Sequence, residues 1–583
     1  MSEVQQQPAT PHADANADAE KEAGVVVKDS PSSDGDDTID RDAQAGVQNI
    51  EAVTSVWTTR SLIAAYAMIF IIYFVETMQQ GAMGSITPYV TSAFAAHSLT
   101  PTVSIFSNII GGVFQLSLAK ILDVFGRPQG YLLSVFFATI GLIMMAACNN
   151  VETYAAAQVF YTVGNNAILY CVSVFVADTS SLRNRAMMTA FSASPNLITI
   201  WLAGPISEAF LNGPGWRWGF GTFCILVPLF TLPLYGLFVY NFKKAKNQGL
   251  IPESNSQRTA WESFIYYCRE FDAIGLFLLS AGLALFLLPF NIYYFQNEGW
   301  RAPIIIALLV VGFVVIIAFA LWEKFFAPIT FIPYSLLLDR TVFGACILGA
   351  TLFISYYCWM SYFTSFLQVV NNLDVTKASY VAQTYSMGSS LTAIAVGVLV
   401  RYTGRVKPVT LYMAVPLSIF GLALMINFRK PDVNIGYIIM CQIFVSVAGG
   451  TIIICDPIAA MAAATHQHIA VVIAVLSMFS QIGGAIGLSV AAAIWQGVFP
   501  VKLAEYLPES ELPNLVAIYA DLTVQLSYPV GSPARIAIQN AYAEGQKMML
   551  IAGTAIWILG FVGTLMWRDI QIIGIKQVKG HVV

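Results

Sequence analysis

The sequence predicts an all-α polytopic membrane protein of about 14 transmembrane helices, in two six-helix halves plus two linking helices. Three observations lead there. Of 583 residues, 57% are hydrophobic and only 11% charged, with a mean hydropathy of +0.68. A soluble chain of ordinary composition carries roughly 25% charged residues, so most of this chain cannot face water. Apolar runs of the length that crosses a bilayer core, about 20 residues, recur along it, and Lys and Arg gather in alternate connections between them.

Residues 1–55 hold twelve acids against three bases, a net of −9, so the remainder carries +5 of the total of −4. Such a polar acidic segment joined to an apolar body reads as a disordered cytoplasmic tail. It has no apolar h-region or basic n-region, and the first span is expected to serve as an uncleaved insertion signal. Spans are then expected near 61–78, 102–121, 130–148, 152–176, 187–210 and 219–241, completing an N-terminal half over 56–241. A polar stretch, Asn241 to Arg269, and two linking spans near 271–290 and 302–322 fill 242–340. Six more spans, near 342–366, 377–400, 408–427, 435–461, 469–498 and 547–567, make a C-terminal half over 341–567, followed by a short tail at 568–583. A merged or missed pair would give twelve. The long connection 499–545, rich in Glu and Tyr, is expected as an outer loop, either functional or a tolerated insertion.

Orientation follows from counting Lys and Arg in short loops. With the N-terminus inside, one inside connection alone carries Lys243, Lys244, Lys246, Arg258 and Arg269, and others carry Arg127, Arg183, Arg185, Arg401 and Arg405. The outside connections carry Arg217, Arg301, Lys377, Arg429, Lys430, Lys502, Arg535 and Lys547. Both termini come out cytoplasmic. The eight cysteines lie in or beside apolar segments without a CxxC pair and read as packing residues.

The motif with most mechanism in it is Leu122-Asp123-Val124-Phe125-Gly126-Arg127. It resembles the D-x-x-G-R signature of the major facilitator superfamily, placed between helices 2 and 3. A carboxylate and a guanidinium at a helix boundary can make charge-assisted bonds across helices and latch one conformation, which makes Asp123, Gly126 and Arg127 the expected gating residues. A degenerate echo, Arg401-Tyr402-Thr403-Gly404-Arg405, recurs in the second half, with Arg401 where the Asp would stand. Two such turns at corresponding places fit an internal repeat. Gly204-Pro205 in the fifth span resembles the motif of drug:proton antiporters, but Ser207-Glu208 follows where glycines are expected, and Phe160 stands where an arginine is expected.

Ionisable groups inside apolar spans are expensive and point to function. Glu76, at the outer half of span one, and Asp456, beside Pro457, are the candidates for proton coupling, since a carboxyl group in low dielectric can take up and release a proton. A hydrogen-bonded structural acid is the alternative at both. Asp178 and Glu208 read as helix-end charges. His466 and His468 read as exposed loop histidines rather than a metal site, for which two ligands are too few. Aromatic and amide side chains cluster as Tyr356, Tyr357, Trp359, Tyr362 and Gln368 in span nine and as Tyr161, Asn165, Asn166 and Tyr170 in span four. They can line a cavity for a bulky, nearly neutral solute or serve as aromatic belts and helix packing. Gly483, Gly484 and Gly487 suit close helix contact. No nucleophile–base set, phosphate loop or nucleic-acid patch occurs, so neither an enzyme nor a cofactor or nucleic-acid binder is expected.

LDVFGRP at 122–128, ADTSSLRNRA at 177–186, WQGVFPVKLAEYLP at 495–508, AYAEGQKMM at 541–549 and WRDIQIIGIKQVKG at 567–580 together resemble the fungal siderophore–iron transporter family, a fourteen-helix branch of the major facilitator superfamily. The resemblance runs from about residue 50 to the end. It implies the major facilitator fold and import of ferric siderophores, mostly hydroxamates, by proton symport at the plasma membrane. An endosomal or vacuolar membrane is the alternative location. Iron would cross inside its chelate, so no protein metal site is required, and a monomer in the bilayer is expected. The family's last outer loop takes part in substrate recognition, which carries over to Tyr542; an interfacial anchor is the other role open to it. A multidrug or glutathione proton antiporter of the same fold is the alternative function.

Overall fold

The computed structural model describes residues 56–94, 100–248, 260–270, 272–293, 296–327, 337–464 and 469–573. The expected acidic tail, His466 and His468 lie outside them. Among the described residues every regular element is helical, as the absence of water in a bilayer core requires of a lipid-exposed chain that does not close a barrel.

Seven helices make up the N-terminal half: α1 (Thr59–Ala93), α2 (Thr100–Phe125), α3 (Arg127–Ala147), α4 (Val151–Thr179), α5 (Leu182–Ala193), α6 (Asn196–Asn212) and α7 (Trp216–Asn247). Side-chain caps place several starts. Thr58 and Ser61 form a reciprocal capping box before α1, and Asn150 Oδ1 accepts from the Thr153 amide at 2.7 Å before α4. Two expectations shift here. Span one was placed at 61–78, but α1 continues to Ala93 because Glu76, Gln79 and Ser85 turn into the protein rather than ending the helix. Span five is expected at 187–210; it is two helices, α5 and α6, separated at Ser194-Pro195, where both residues keep right-handed helical backbone but proline has no N–H to continue the hydrogen-bond ladder. Glycines let α3 and α4 meet closely: a Cβ on Gly164 would sit 2.0 Å from the Ala138 backbone nitrogen.

The middle of the chain gives α8 (Ala260–Glu270), α9 (Ala273–Leu287) and α10 (Pro303–Phe325). α9 and α10 pack on each other through Gly282 and Gly312, and Trp322 Nε1 donates to Asp272 Oδ1 at 2.8 Å across their far ends.

The C-terminal half holds α11 (Arg340–Met360), α12 (Phe363–Val369), α13 (Val375–Thr403), α14 (Lys407–Phe428), α15 (Ile435–Ala463), α16 (Ile469–Tyr506) and α19 (Pro533–Met566), with the short α17 (Leu515–Ala520) and α18 (Leu522–Ser527) before the last. Asp339, Asp374 and Asn434 cap α11, α13 and α15. Span nine, expected over 342–366, breaks at Ser361 and Tyr362, whose φ of 57° is left-handed. The connection expected at 499–545 is helical to Tyr506 and again from Pro533, leaving α17 and α18 as its core.

Eleven helices among the described residues are long and apolar enough to cross a membrane. The other three expected spans correspond to the α5–α6 pair, the fifteen-residue α9, and α13, whose first half is rich in Ser, Thr, Tyr and Gln. The two halves meet along α2 against α16 and along α5–α6 against α13.

Candidate functional site

Glu76 lies midway along α1 rather than in its outer half, 1% exposed, and among the described residues neither carboxylate oxygen has a hydrogen-bond partner. One turn on, Gln79 is fully buried with both amide atoms unpartnered. Tyr131 on α3 and Tyr161 on α4 stand within electrostatic reach of Glu76, and their hydroxyls also lack partners. Asn165, one turn beyond Tyr161, has an unpartnered Oδ1. Buried polar groups are normally satisfied, and a run of orphans converging from three helices marks a place built for something other than packing.

Asp456 is separate from this cluster. It is buried on α15, its Oδ1 unpartnered, and its Oδ2 points at the seam of α11 and α16, 3.2 Å from where a Cβ on Gly349 would stand and close to Ser480. The two proton-coupling candidates thus sit in different halves with different neighbours.

At the end of the bundle where α1 starts, Arg127 Nη2 donates to Asp178 Oδ2 at 3.2 Å, both side chains largely shielded. Asp178, expected as a bare helix-end charge, is therefore the partner of Arg127 in the Gly126-Arg127 turn. The side chain of Asp123 lies outside the described residues. Gly126 has φ +93°, a conformation that L side chains rarely adopt. In the echo, Arg401 touches Met187 Sδ and its carbonyl accepts from Arg183 Nε at 3.3 Å, while Arg405 faces Asp569 at 3.8 Å. Arg185, expected as a loop charge, is 1% exposed and donates to the carbonyls of Ala177 and Ser180 and to Met461 Sδ. Tyr170 OH donates to the Ala470 carbonyl at 2.8 Å. The Arg183–Arg401, Arg401–Met187, Arg185–Met461 and Tyr170–Ala470 bonds tie the halves together at this end, while Arg127–Asp178 and Arg405–Asp569 each brace one half.

The opposite end is tied as well. Tyr89 OH donates to Gln368 Oε1, Thr376 Oγ1 donates to Glu208 Oε2, and the Leu522 amide donates to Ser92 Oγ at 3.2 Å. Glu208, also expected as a helix-end charge, thus joins α6 to α13. A Cβ on Gly204 would stand 3.1 Å from Ser379 Cβ and from the Thr376 carbonyl oxygen, so its absence lets α6 approach α13.

The aromatic candidates in span nine divide. Trp359 packs with Tyr356 and Tyr385 at centroid separations of 5.6 and 5.5 Å, and Tyr357 lies against Gly484 beside Asn108. Tyr362 stacks on Trp495 at 4.1 Å, and Trp495 on Phe499 at 4.1 Å. Tyr542 was expected near the start of the last span; it lies inside α19, fully buried, edge-on to Trp495 and Phe499, its hydroxyl donating to Gln525 Oε1 at 2.7 Å. It contacts solute only if α17 and α18 move.

Sequence reasoning missed two cations. Arg429 and Arg535, both counted as outside-loop charges, are 0% and 2% exposed. Arg429 Nη1 donates to the Trp359 carbonyl at 2.6 Å and to Gln546 Oε1 at 2.7 Å; Arg535 Nη2 donates to the Gln368 carbonyl at 3.3 Å and to Asn372 Oδ1 at 3.2 Å. Among the described residues no three His, Cys, Asp or Glu side chains are grouped to hold a metal ion.

Residues 69–327 match the family model of the Major Facilitator Superfamily. The chain is 58% identical over 563 residues to "MFS siderochrome iron transporter 1" of Ajellomyces capsulatus, covering 97% of this chain and 96% of that protein. It is 44% identical over 540 residues to "Siderophore iron transporter mirB" of Emericella nidulans, covering 92% and 89%. A crystal structure of a bacterial homologue of the human lysosomal transporter Spinster, inward-facing and occupied, superposes with a TM-score of 0.51 at 13% identity, covering 87% of this chain and 97% of that one.

Proposed function

The chain belongs to the fungal siderophore–iron transporters of the major facilitator superfamily, and we propose that it imports ferric hydroxamate siderophores by proton symport across the plasma membrane. The observation that carries the coupling is the Glu76 cluster. A carboxylate enclosed with Gln79, Tyr131 and Tyr161, none supplying it a hydrogen bond, has no counter-charge to hold it ionised. Such a group exchanges a proton with whichever side the rocking halves open to. Asp456 is the second candidate, placed in the other half.

A neutral, bulky chelate suits a path between the halves lined by Tyr161 and Asn165 on one side and by Tyr357, Trp359, Tyr362 and Gln368 on the other. Phenol, indole and amide groups recognise carbonyl and hydroxyl oxygens without needing charge on the ligand. The iron travels as cargo within its chelate. Alternating access has its bolts at the two ends: Arg183–Arg401, Arg185–Met461 and Tyr170–Ala470, beside the Arg127–Asp178 turn, at the cytoplasmic end assigned by the positive-inside rule, and Tyr89–Gln368 with Glu208–Thr376 at the outer end.

Expression in cells lacking their own siderophore uptake tests this. Radiolabelled iron should accumulate from at least one of ferrichrome, fusarinine and coprogen chelates, and a protonophore should abolish accumulation. Accumulation from none of them, in cells shown to carry the protein at the surface, overturns the substrate class. Accumulation indifferent to the protonophore overturns symport.

A further inference from the structure

A transmembrane helix that breaks leaves its last carbonyls without intrahelical donors, and at membrane depth the protein itself must supply them. α11 breaks in this way at Ser361 and Tyr362, the latter in left-handed backbone. The carbonyls on the near side of the break are taken by two side chains from other helices: the Trp359 carbonyl by Arg429 Nη1 at 2.6 Å, and the Ser361 carbonyl by Gln546 Nε2 at 3.0 Å. The same Arg429 nitrogen donates to Gln546 Oε1 at 2.7 Å, joining the two capping groups. On the far side of the break the guanidinium lies over the Phe363 ring, 4.0 Å from its centroid. One side chain therefore grips both sides of the discontinuity.

The segment beyond the break, α12, is held again at its other end, where Arg535 donates to the Gln368 carbonyl, to Asn372 and to the Gln525 carbonyl. Between these two cations, the Gln368 side chain reaches across to Tyr89 of the other half. Among the described residues neither arginine has a carboxylate partner; both are neutralised by carbonyl and amide oxygens and, at Arg429, by aromatic faces. A clamp made this way holds its form whatever the protonation of the transport acids.

We propose that Arg429 is a positioning residue for transport: with Gln546 it fixes the α11–α12 break, so that α12 moves as one piece and brings Gln368 onto Tyr89 when the outer mouth closes. The proposal rests on the alternating-access reading above. It explains why arginine stands here. A planar guanidinium can bond two acceptors through one nitrogen while its face lies on a ring, whereas a lysine head is a compact, strongly hydrated charge with no face to stack.

A Tyr89→Cys/Gln368→Cys pair reports the closed mouth by its rate of oxidative cross-linking, followed by mass spectrometry in membranes without substrate. Arg429→Lys and Arg429→Gln should each slow cross-linking about tenfold, a usual size for coupling between sites. In the protein without the introduced cysteines the same substitutions should lower the maximal uptake rate by a similar factor while the half-saturating chelate concentration changes by less than about twofold. If either variant fails to reach the membrane, Gln546→Ala is measured the same way. Unchanged cross-linking in variants that reach the membrane overturns the proposal, as does a rise in half-saturation in proportion to the loss of rate. Because cross-linking needs no substrate, failure of the unsubstituted protein to take up any siderophore would overturn the substrate reading and leave this result to stand on its own.

Discussion

Arg127 at the start of α3 and Asp178 near the end of α4 face each other at 3.2 Å, 51 residues apart in sequence, beside the turn that resembles the superfamily's gating signature. The turn thereby reaches past its own helix boundary and grips the end of α4, next to the point where α5 begins its contact with the other half.

Asp178→Asn removes the charge on one side of this bond. A hydrogen bond to a charged group contributes about 1.5–3 kcal/mol, so the closed cytoplasmic gate should lose roughly ten- to a hundredfold in relative population. Uptake rate should fall at unchanged surface level, and Asp178→Glu should recover part of it. Full activity in Asp178→Asn would show that the pair does not brace the gate.

Glu76→Gln keeps size and polarity but cannot cycle a proton. Accumulation against a gradient should be lost, while exchange of internal for external chelate persists and stops responding to external pH. Asp456→Asn, measured beside it, shows whether the second half carries a proton too. Equal loss of accumulation and exchange in Glu76→Gln would mark damage to folding rather than to coupling.

Tyr542→Phe keeps the ring against Trp495 and Phe499 and removes only the bond to Gln525. Leaving a buried acceptor without its donor costs about 1–3 kcal/mol, so thermal stability in detergent should drop measurably. Apparent affinity should change only as far as the α17–α18 segment loosens over the mouth. Undiminished stability would mean the hydroxyl finds another partner or water.

Gly164→Ala places a methyl group 2.0 Å from a backbone nitrogen of α3, which cannot rotate away as a side chain could. Overpacking of this kind costs about 1–3 kcal/mol or more, and surface expression should fall sharply. Gly84→Ala on α1, whose Cβ would meet nothing within 4 Å, is the matched control and should express normally.

The helical, many-spanning character was legible because bilayer thickness imposes a minimum apolar length on every span. The Asp123–Arg127 turn was legible because Gly126 needs its backbone freedom wherever the turn occurs. Pairing was not. Asp178 and Glu208 looked like terminal charges because their partners, Arg127 and Thr376, come from other helices. Arg429 and Arg535 counted as loop cations for the same reason: the carbonyls that neutralise them come from the α11 break and from the ends of α12 and α18. Nothing local in FISYYCWMSYF marks that break, which depends on Gln546 from a helix nearly two hundred residues away. Tyr542 illustrates the opposite case, where the position was noticed but its burial beneath α17 and α18 followed from packing alone.

The most direct measurement of the account is uptake of radiolabelled iron presented as single ferric hydroxamate chelates to siderophore-uptake-deficient cells, with and without a protonophore, comparing the unsubstituted protein and Glu76→Gln. The expected result is protonophore-sensitive accumulation from at least one chelate, absent in Glu76→Gln although that variant still exchanges chelate. Accumulation by Glu76→Gln equal to that of the unsubstituted protein would contradict the proton path assigned to the buried cluster on α1.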